Sequence, residues 1–444
     1  MHMSNQPLHT MDELRGWLSD RHRDNSSSVK LISLDECRPW YYDENAGEIR
    51  NEDGTFFRIA GIRQYHEDKI IAEQPIIIQN EIGFLGILTC KINGIWHYLM
   101  QGKIEPGNVN VVQISPTLQA TKSNFTQAHG GRKPEYLEYF MHMDPKDIIV
   151  DQIQSEQSSR FLGKRNRNVI CKTEEILPEG DSHRWMTFDQ IKLFMRMDNM
   201  VNMDTRTVLS CIPYVLLKQE VDNPFKDKHE FHKTSTNIDH ATITSLYHAI
   251  NDYKMLIEPK REIVKLSDLN TWHFKDNDLV CDGGAPFRVV FSDISIEGRE
   301  VTRWKQPLFA ANGKGLFALA YYRDEGMIRF LIKIRPEIGC FDGVEMGPTL
   351  QLEPGANPSD EVEKKILDRV KFGTGVITDC ILSEEGGRFY QEQNRNVILE
   401  IGKDDVGELP PDYVWSDYGT LNILTQVNNC LNIQLRNLLA LFEL

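Results

Sequence analysis

The sequence lacks the features that would place it in a membrane, in an oxidising compartment or on nucleic acid. None of its apolar runs approaches the 18 residues of a membrane span, and no apolar signal core precedes the first charged stretch. The eight cysteines are scattered and none forms a C-x-x-C pair, which favours reduced thiols in the cytoplasm. Lys and Arg number 50 against 65 Asp and Glu, so we expect no general binding to a phosphate backbone.

Common cofactor and metal signatures are also missing. No G-x-G-x-x-G follows a strand-like run and no G-x-x-x-x-G-K-[ST] is present, which argues against a Rossmann cofactor and against P-loop chemistry. His229, His232, His240 and His248 lie near one another, but they have no acidic or thiol partner at metal-ligand spacing. We therefore expect neither a redox cofactor nor a bound metal.

The sequence does contain a repeat of half its own length. QISPTLQ at 113–119 is matched by EMGPTLQ at 345–351, an offset of 232 residues. SEQSSRFLGKRNRNVI at 155–170 is matched by SEEGGRFYQEQNRNVI at 383–398, an offset of 228 residues. Because order and spacing persist along the chain, we interpret the repeat as a duplicated module.

Helices and strands are both predicted within each module. Thr10-x-x-Glu13 is typical of a capping box at the start of a helix. Strand-like runs such as Gly83–Ile92 and Met327–Arg335 lie next to Asn-Gly or Asp-Glu-Gly, which are typical of hairpin turns. Leucines recurring at helical spacing over 421–442 predict a final helix.

These patterns predict an α+β fold made of two tandem modules related by internal duplication. We place the first module at residues 1–215 and the second at residues 216–444. Residues that both copies share are expected to hold the shape of the module. Residues found in one copy alone are better candidates for a single active site.

One loop differs sharply between the copies. After the shared PTLQ, the first copy continues ATKSNFTQAHGGRKPEY and the second LEPGANPSDEVE, so Thr121, Ser123, Asn124 and His129 have no similar counterpart. Hydroxyl, amide and imidazole groups beside a Gly-Gly pair suit a loop that wraps a polyhydroxylated ligand and supplies an acid or a base. The alternative is a polar surface turn.

The copies also differ in charge. The first carries four basic residues, Arg160, Lys164, Arg165 and Arg167. The second has Glu392 and Gln393 at the positions of the middle two. Guanidinium and ammonium groups suit a diphosphate, and an exposed basic face is the alternative.

An aromatic difference adds a further candidate. Trp304 stands in a W-K-Q-P stretch, whereas the first copy has Ala72 at the matching position of A-E-Q-P. Such an indole could stack on a base or a sugar, and packing in the core is the alternative.

Two long motifs carry a family resemblance. QISPTLQATKSNF at 113–125 and SEQSSRFLGKRNRN at 155–168 resemble signatures of the NDP-hexose 2,3-dehydratases of deoxysugar biosynthesis. The resemblance implies two Nudix-like modules that arose by duplication, a homodimer, and a dTDP-linked substrate. The glutamate-rich box of Nudix hydrolases is not legible in either copy, which fits a module that kept the shape and lost metal-dependent hydrolysis.

The chemistry implied by the resemblance is a β-elimination from a 4-keto-6-deoxy sugar. A base removes the C3 proton, donors hold the enolate at the C4 oxygen, and an acid protonates the departing C2 hydroxyl. The product is a 3,4-diketo-2,6-dideoxy sugar nucleotide, and its instability implies a 3-ketoreductase as pathway partner. We assign His129 and Tyr136 as proton carriers and Lys103 to the C4 oxygen. The residues assigned to the sugar are Gln119, Thr121, Ser123 and Asn124, and those assigned to the diphosphate are Arg160, Lys164, Arg165 and Arg167.

This interpretation places one catalytic site in the first module and gives the second a supporting or ancillary binding role. Two alternatives remain open at the level of the sequence. One is a Nudix-type sugar-nucleotide hydrolase, which would need a metal and release nucleoside monophosphate. The other is a nucleotide-sugar sensor that binds without turnover.

Overall fold

The computed structural model describes residues 6–54, 56–121, 133–217, 233–234, 238, 240–297 and 301–442, and it has a mixed α+β fold. We call residues 6–217 the first half and residues 233–442 the second half. The described α-helices are Met11–Asp24 (α1), Leu137–Met141 (α2), Phe188–Met195 (α3), Met203–Ser210 (α4), Tyr214–Leu217 (α5), His240–Asp252 (α6), Glu361–Phe372 (α7), Tyr418–Leu424 (α8) and Ile433–Leu441 (α9).

Strands make up much of each half. Those of the first half are Ser27–Ile32 (β1), Trp40–Asp43 (β2), Glu48–Asn51 (β3), Arg58–His66 (β4), Lys69–Ile78 (β5), Gly83–Ile92 (β6), Ile95–Ile104 (β7), Val112–Ser115 (β8), Leu118–Ala120 (β9), Ile148–Ser155 (β10), Arg165–Lys172 (β11) and His183–Thr187 (β12). Those of the second half are Lys260–Val264 (β13), Trp272–Lys275 (β14), Asp278–Cys281 (β15), Phe287–Ile296 (β16), Arg303–Ala311 (β17), Gly315–Asp324 (β18), Met327–Pro336 (β19), Val344–Gly347 (β20), Leu350–Leu352 (β21), Val376–Ser383 (β22), Gln393–Glu400 (β23) and Tyr413–Asp417 (β24).

Local sequence signals account for several of these boundaries. The predicted capping box forms at α1, where the Thr10 hydroxyl accepts from the backbone N–H of Glu13 and the Glu13 carboxylate accepts from the backbone N–H of Thr10. The β6–β7 hairpin turns at Asn93 and Gly94, both with positive φ, as the Asn-Gly pair predicts. The single final helix predicted over 421–442 is instead two helices, because Asn432 caps a new helix at α9.

Two seven-stranded sheets have the same strand order. The sheet of the first half runs β10-β11-β6-β7-β12, with β8 beside β7 and β9 beside β6. The sheet of the second half runs β22-β23-β18-β19-β24, with β20 beside β19 and β21 beside β18. In each sheet the pairing of the second and third strands is parallel and the other pairings are antiparallel.

The two five-stranded sheets exchange strands between the halves. One sheet runs β1-β16-β15-β14 with β17 beside β16, so its β1 comes from the first half and its other strands from the second. The other runs β13-β4-β3-β2 with β5 beside β4, so its β13 comes from the second half. Neither five-stranded sheet can therefore be assigned to residues on one side of position 216.

Helices α4 and α9 pack together where the halves meet, and each carries a buried arginine. Arg206 of α4 donates to the backbone carbonyl of Ser383 at 2.9 Å, and Arg436 of α9 donates to that of Ser155 at 2.5 Å. The largest apolar core contains side chains from both halves, including α1, α4 and α9. The two halves thus share one interior. This packing brings residues of both halves to the same cleft.

Candidate active site

An open cleft lies between the halves and encloses about 1950 Å³, including solvent at its mouth. From the first half it is lined by the ends of β7 and β9, the segment between β10 and β11, and the start of α4. From the second half it is lined by β17 and by the segment that follows β22. Both halves are therefore needed to form its walls.

The cleft floor is a hydrogen-bonded group at the end of β7 and on β9. The ammonium of Lys103 donates to the backbone carbonyl of Gln119 at 3.0 Å and lies 3.7 Å from a carboxylate oxygen of Glu105. The Gln119 amide donates to that same Glu105 oxygen at 3.1 Å and accepts from Asn202 at 3.0 Å. The other Glu105 oxygen is buried without a hydrogen-bond partner among the described residues. The floor thus offers a cation beside a buried carboxylate.

A second charged pair lies on the wall between β10 and β11. Lys164 donates to the backbone carbonyl of Glu81 at 2.5 Å, and Asn166 donates to a carboxylate oxygen of Glu156 at 2.5 Å. Burial lowers the pKa of Lys164 to about 8 and raises the pKa of Glu156, with the two opposite charges partly offsetting these shifts. The Lys164 side chain is thus an ammonium that can lose its proton near physiological pH.

The start of α4 brings a third carboxyl group to the cleft. Asp204 is the second residue of α4, it is buried, and burial beside Glu156, Glu385 and Glu105 raises its pKa well above the ordinary value. Among the described residues no hydrogen bond to its carboxyl oxygens is present. Its surroundings thus favour the protonated form of this carboxyl group.

The second half supplies the remaining wall. Lys305 of β17 donates to the backbone carbonyl of Glu36 at 2.6 Å, and the Trp304 indole donates to Gln306 at 3.1 Å. The guanidinium of Arg388 lies 4.4 Å from the ring centre of Phe57. The mouth of the cleft therefore carries cationic and aromatic groups from a strand and a loop that belong to the other half.

The structure brings five of the residues predicted from sequence to this cleft, namely Lys103, Gln119, Thr121, Lys164 and Trp304. Ser123, Asn124 and His129 lie outside the described residues, so their assignments stay predictions.

Tyr136 is not among the described residues that line the cleft. Its hydroxyl donates to the backbone carbonyl of Pro178 at 2.5 Å and its ring lies 4.7 Å from that of His183. Burial and the nearby Glu135 raise its pKa to about 12. A hydroxyl held in this way is poorly placed to exchange protons with a ligand in the cleft.

The predicted diphosphate cluster does not converge, because three of its members have partners elsewhere. Arg167 forms a two-point pair with Asp151 at 2.6 and 2.5 Å across β10 and β11. Arg165 lies 3.9 Å from the ring centre of Phe341. Neither lines the cleft, and of the four basic residues only Lys164 does so within the described chain. Because side chains alternate along a strand, Arg165 and Arg167 lie on the face of β11 opposite to Asn166, which lines the cleft.

Arg160, the remaining member, is buried in the second half. Its guanidinium donates to Glu353 at 2.6 Å and lies 4.3 Å from the ring centre of Phe287. Its counterpart in the repeat, Arg388, lines the cleft. The shared arginine of each half thus reaches across to the other half.

Removing Arg160 should destabilise the protein strongly. Its side chain is 1% exposed and that of Glu353 is 23% exposed, so Arg160→Ala leaves a carboxylate without its partner. We expect the free energy of unfolding to fall by about 3–5 kcal/mol in urea titrations. In the matched control Arg167→Ala, the lost pair is 40% and 32% exposed, and a change below about 1 kcal/mol is expected. Equal losses in both variants would contradict this account.

The sequence-based prediction missed Glu105, Glu156, Asp204, Glu385 and Arg388. Two of them could have been found by comparing the repeats. At the positions that match Asp204 and Glu385, the other half has the amides Gln434 and Gln157. The contribution of the second half had no such signal, because it depends on how the halves pack. Burial of the carboxyl groups likewise follows from that packing.

The described residues contain neither a membrane-spanning helix nor a cluster of metal ligands. No helix in them has both the length and the apolar character required to cross a membrane. No set of three His, Cys, Asp or Glu side chains in the described part of the chain is arranged to hold a metal ion.

Comparison with known proteins identifies the family. A family model described as NDP-hexose 2,3-dehydratase matches residues 11–212 and 244–442. Three similar proteins are each named dTDP-4-dehydro-6-deoxy-alpha-D-glucopyranose 2,3-dehydratase. That of Saccharopolyspora spinosa is 37% identical and the alignment covers 96% of this chain and 90% of the relative. That of Streptomyces violaceoruber is 36% identical over 96% and 95%, and that of Amycolatopsis orientalis is 32% identical over 97% and 89%.

A solved structure titled as an ADP compounds hydrolase is also similar over 35% of this chain and 83% of its own, at 14% identity and a TM-score of 0.21. That likeness is too slight to bear on the fold.

The family match covers both halves and the relatives align over nearly the full length. The chain therefore belongs to the NDP-hexose 2,3-dehydratase family.

Proposed function

We propose that the cleft catalyses the 2,3-dehydration of a 4-keto-6-deoxyhexose linked to dTDP, the nucleotide in the names of the three relatives. The observation that carries the proposal is the cleft floor, where the ammonium of Lys103 lies 3.7 Å from the buried carboxylate of Glu105. An ammonium can hold the enolate oxygen that forms when a base removes the proton beside a ketone, and the neighbouring carboxylate keeps that ammonium in place. The enzyme is then a hydro-lyase that forms a 3,4-diketo-2,6-dideoxy sugar nucleotide.

Each predicted cleft residue has a role in this proposal. Lys103 faces the C4 oxygen, while Gln119 and Thr121 hold the sugar hydroxyl groups. Lys164 contacts the diphosphate, and the Trp304 indole lies against the base or the sugar. Ser123, Asn124 and His129 lie outside the described residues, so their roles around the sugar, and the role of His129 in proton transfer, stay predictions from the sequence.

We propose further that the chain consists of two Nudix-like modules that arose by duplication, residues 1–215 and residues 216–444. The first supplies the floor of the catalytic cleft, and the second supplies part of its wall besides the supporting or ancillary binding role predicted from the sequence. The identical strand orders of the seven-stranded sheets and the regular sequence offsets support the duplication. In the second half, Glu353 stands at the position of Thr121 and is paired with Arg160. A carboxylate paired in this way has less capacity to bind a ligand, which agrees with the supporting role.

Two partners complete the proposal. The unstable diketone must be consumed by a 3-ketoreductase, as its chemistry requires. A homodimer is supported by Met255, Leu256 and Ile257, three consecutive apolar side chains that are 74%, 69% and 55% exposed. Apolar runs of this kind commonly mark a protein interface.

The direct test is incubation with dTDP-4-keto-6-deoxyglucose and a 3-ketoreductase, followed by mass analysis of the nucleotide sugar. We expect a product lighter by one water apart from the hydride added by the reductase. Activity should survive exhaustive treatment with a chelator, since no step of the proposed elimination uses a metal. Release of nucleoside monophosphate would identify a hydrolase, binding without any product would identify a sensor, and either would refute the proposal.

Lys164 should set both the affinity for the substrate and its pH dependence. Replacing Lys164 with Gln removes a charged partner of the diphosphate, at about 1.5–3 kcal/mol, so KM at pH 7 should rise by about 10-fold to 150-fold. The pKa of Lys164 is lowered to about 8 by burial, against the charges of Glu156 and Glu81 and with Arg388 adding to the lowering. The wild-type KM should therefore rise as the pH passes through 8 and the ammonium is lost.

Two further variants control this prediction. Lys164→Arg keeps its charge and should give a KM that is flat between pH 7 and pH 9. Arg165→Gln should leave KM within about twofold of the wild type, because that guanidinium lies over Phe341 outside the cleft. A large effect of Arg165→Gln, or none of Lys164→Gln, would mean that the diphosphate binds elsewhere.

A further inference from the structure

Two acidic residues of the cleft stand where the other half has amides. Asp204 is the second residue of α4 after the cap Asn202, and Gln434 is the second residue of α9 after the cap Asn432. A second carboxyl–amide difference lies just after β22 and β10. Glu385 is the second residue after β22, and Gln157 is the second residue after β10. An amide has nearly the shape of a carboxyl group but cannot exchange protons as an acid or a base. Glu385 and Gln157 therefore differ in proton transfer and hardly in shape, while Asp204 is also shorter than Gln434 by one methylene group.

The loop that carries Glu385 is fixed against the cleft floor. The backbone N–H of Gly107 donates to the carbonyl of Gly386 at 2.7 Å, and that of Gln391 donates to the carbonyl of Gly107 at 2.9 Å. One Glu385 oxygen accepts from the backbone N–H of Gly387 at 2.9 Å. These bonds join the loop of the second half to residues of the first half directly beside Glu105. Glu385 is thus a rigidly positioned group of the cleft although it lies far from the floor in sequence.

Asp204 approaches the same space from the opposite wall. It is 2% exposed, it lines the cleft, and among the described residues no group hydrogen-bonds its carboxyl. A carboxyl group at the wall of a cleft that no other protein group engages can contact a ligand there. Asn202 caps α4, the helix that carries Asp204, and its side chain also donates to Gln119 on the cleft floor. The positions of Asp204 and of the Gln119 amide therefore both depend on Asn202.

We propose that Glu385 is the base that removes the C3 proton and that Asp204 is the acid that protonates the departing C2 hydroxyl. This assignment rests on the proposed 2,3-dehydration and names its proton carriers, one from each half of the chain.

The protons and electrons balance over one turnover. The C3–H bond breaks, its proton goes to Glu385, and the electron pair forms an enolate with its charge on the C4 oxygen. The C4 carbonyl then re-forms, a C2=C3 double bond is made, and the C2–O bond breaks as Asp204 gives its proton to the leaving water. In the resulting enol the C3 hydroxyl returns a proton to Asp204, and Glu385 delivers its proton to C2, which gives the diketone and restores both groups.

The protonation states of the free protein agree with these roles. Burial beside Glu105 raises the pKa of Glu385 to about 7, with Arg388 and Lys103 opposing the rise, so near neutral pH a large fraction is ionised. Asp204 has its pKa raised well above the ordinary value, chiefly by burial, so its surroundings favour the protonated form. A base poised near the working pH and a carboxyl group whose protonated form is favoured suit the two proton transfers of the elimination.

Hydrogen exchange at C3 separates the two roles. The substrate is incubated in D₂O with each variant, and deuterium at C3 and loss of water are followed by NMR and mass analysis. Glu385→Gln should lose both C3 exchange and dehydration by at least about 100-fold. Asp204→Asn should lose dehydration by at least about 100-fold while C3 exchange continues. The affinity of either variant for dTDP, measured by calorimetry, should stay within about threefold of the wild type, which confirms that the cleft has kept its shape.

The matched controls are Gln157→Asn and Gln434→Asn, made at the corresponding positions of the other half. Both should dehydrate the substrate within about twofold of the wild type. Normal turnover in Glu385→Gln or Asp204→Asn would overturn the assignment, and so would loss of C3 exchange in His129→Ala combined with its retention in Glu385→Gln. A wild-type protein that fails to dehydrate the substrate would instead refute the proposed function itself.

Discussion

Gly107→Ala is expected to abolish turnover and to lower the free energy of unfolding by more than about 3 kcal/mol. A Cβ at this position would lie 1.6 Å from the backbone carbonyl oxygen of Phe389, a separation that no side-chain movement can relieve. The loop that carries Glu385 and Arg388 must then move off the cleft floor. The measured rate is divided by the folded fraction from circular dichroism to give the rate per folded molecule. We expect this corrected rate to be lost as well, beyond the effect of unfolding.

Two other glycines provide the comparison. Gly339 corresponds to Gly107 in the second half, and a Cβ there would lie 2.0 Å from the carbonyl oxygen of Phe161, so Gly339→Ala should destabilise by a similar amount. Gly16 lies in α1 with no atom within 4 Å of its added Cβ, so Gly16→Ala should be neutral or slightly stabilising and fully active. Wild-type stability in Gly107→Ala would show that the two halves are not in close contact at this point.

Arg206→Met should lower the free energy of unfolding by about 4 kcal/mol. The guanidinium donates to the carbonyls of Val201 and Ser383 at 2.6 and 2.9 Å and to Asn437 at 3.3 Å, in a site from which water is excluded. A methionine fills most of the volume but leaves these acceptors without donors, at about 1–3 kcal/mol each. Because Ser383 and Asn437 belong to the second half, the loss should weaken both halves together.

Urea unfolding followed by tryptophan fluorescence and by circular dichroism tests this coupling. Both probes should report one transition at a lower urea concentration, and Arg436→Met, which removes the corresponding bonds of the other half, should behave in the same way. Arg23→Ala, which loses an exposed pair with Asp20, should shift the transition by less than about 0.5 kcal/mol. Two separate transitions in Arg206→Met would mean that the halves fold independently.

Much of the local structure follows from the sequence because its causes are local. The capping box at Thr10 and the hairpin turn at Asn93 depend on residues that are neighbours in the chain, and both predictions are confirmed. The family could also be identified, because long motifs near Pro116 and Arg160 are specific. The single helix predicted over 421–442 was wrong, since the leucine spacing continues through a break that Asn432 caps.

The parts of the site that the sequence did not predict are those that depend on distant contacts. Arg160 was assigned to the diphosphate from its charge, but its carboxylate partner Glu353 follows it by almost two hundred positions and is visible only in the fold. The two halves differ at Asp204 and Glu385 as well as in the loop after Gln119 and in the basic cluster. At those two positions a carboxyl replaces an amide, a small change whose importance becomes clear when both prove to be at the cleft.

The exchanged strands set an order of events during synthesis. In the finished protein Ser27 of β1 pairs with Ile296, and Gly61 of β4 pairs with Val264. While the first half leaves the ribosome, β1 has no sheet to join and the edge of β4 that later receives β13 stays open. The sheet that contains β4 cannot close until β13 has been made, and the sheet that contains β1 must wait for β16. Such distant pairing is slow. The nascent first half therefore exposes an unpaired strand and an open sheet edge, and a chain interrupted near residue 216 would present both to other molecules.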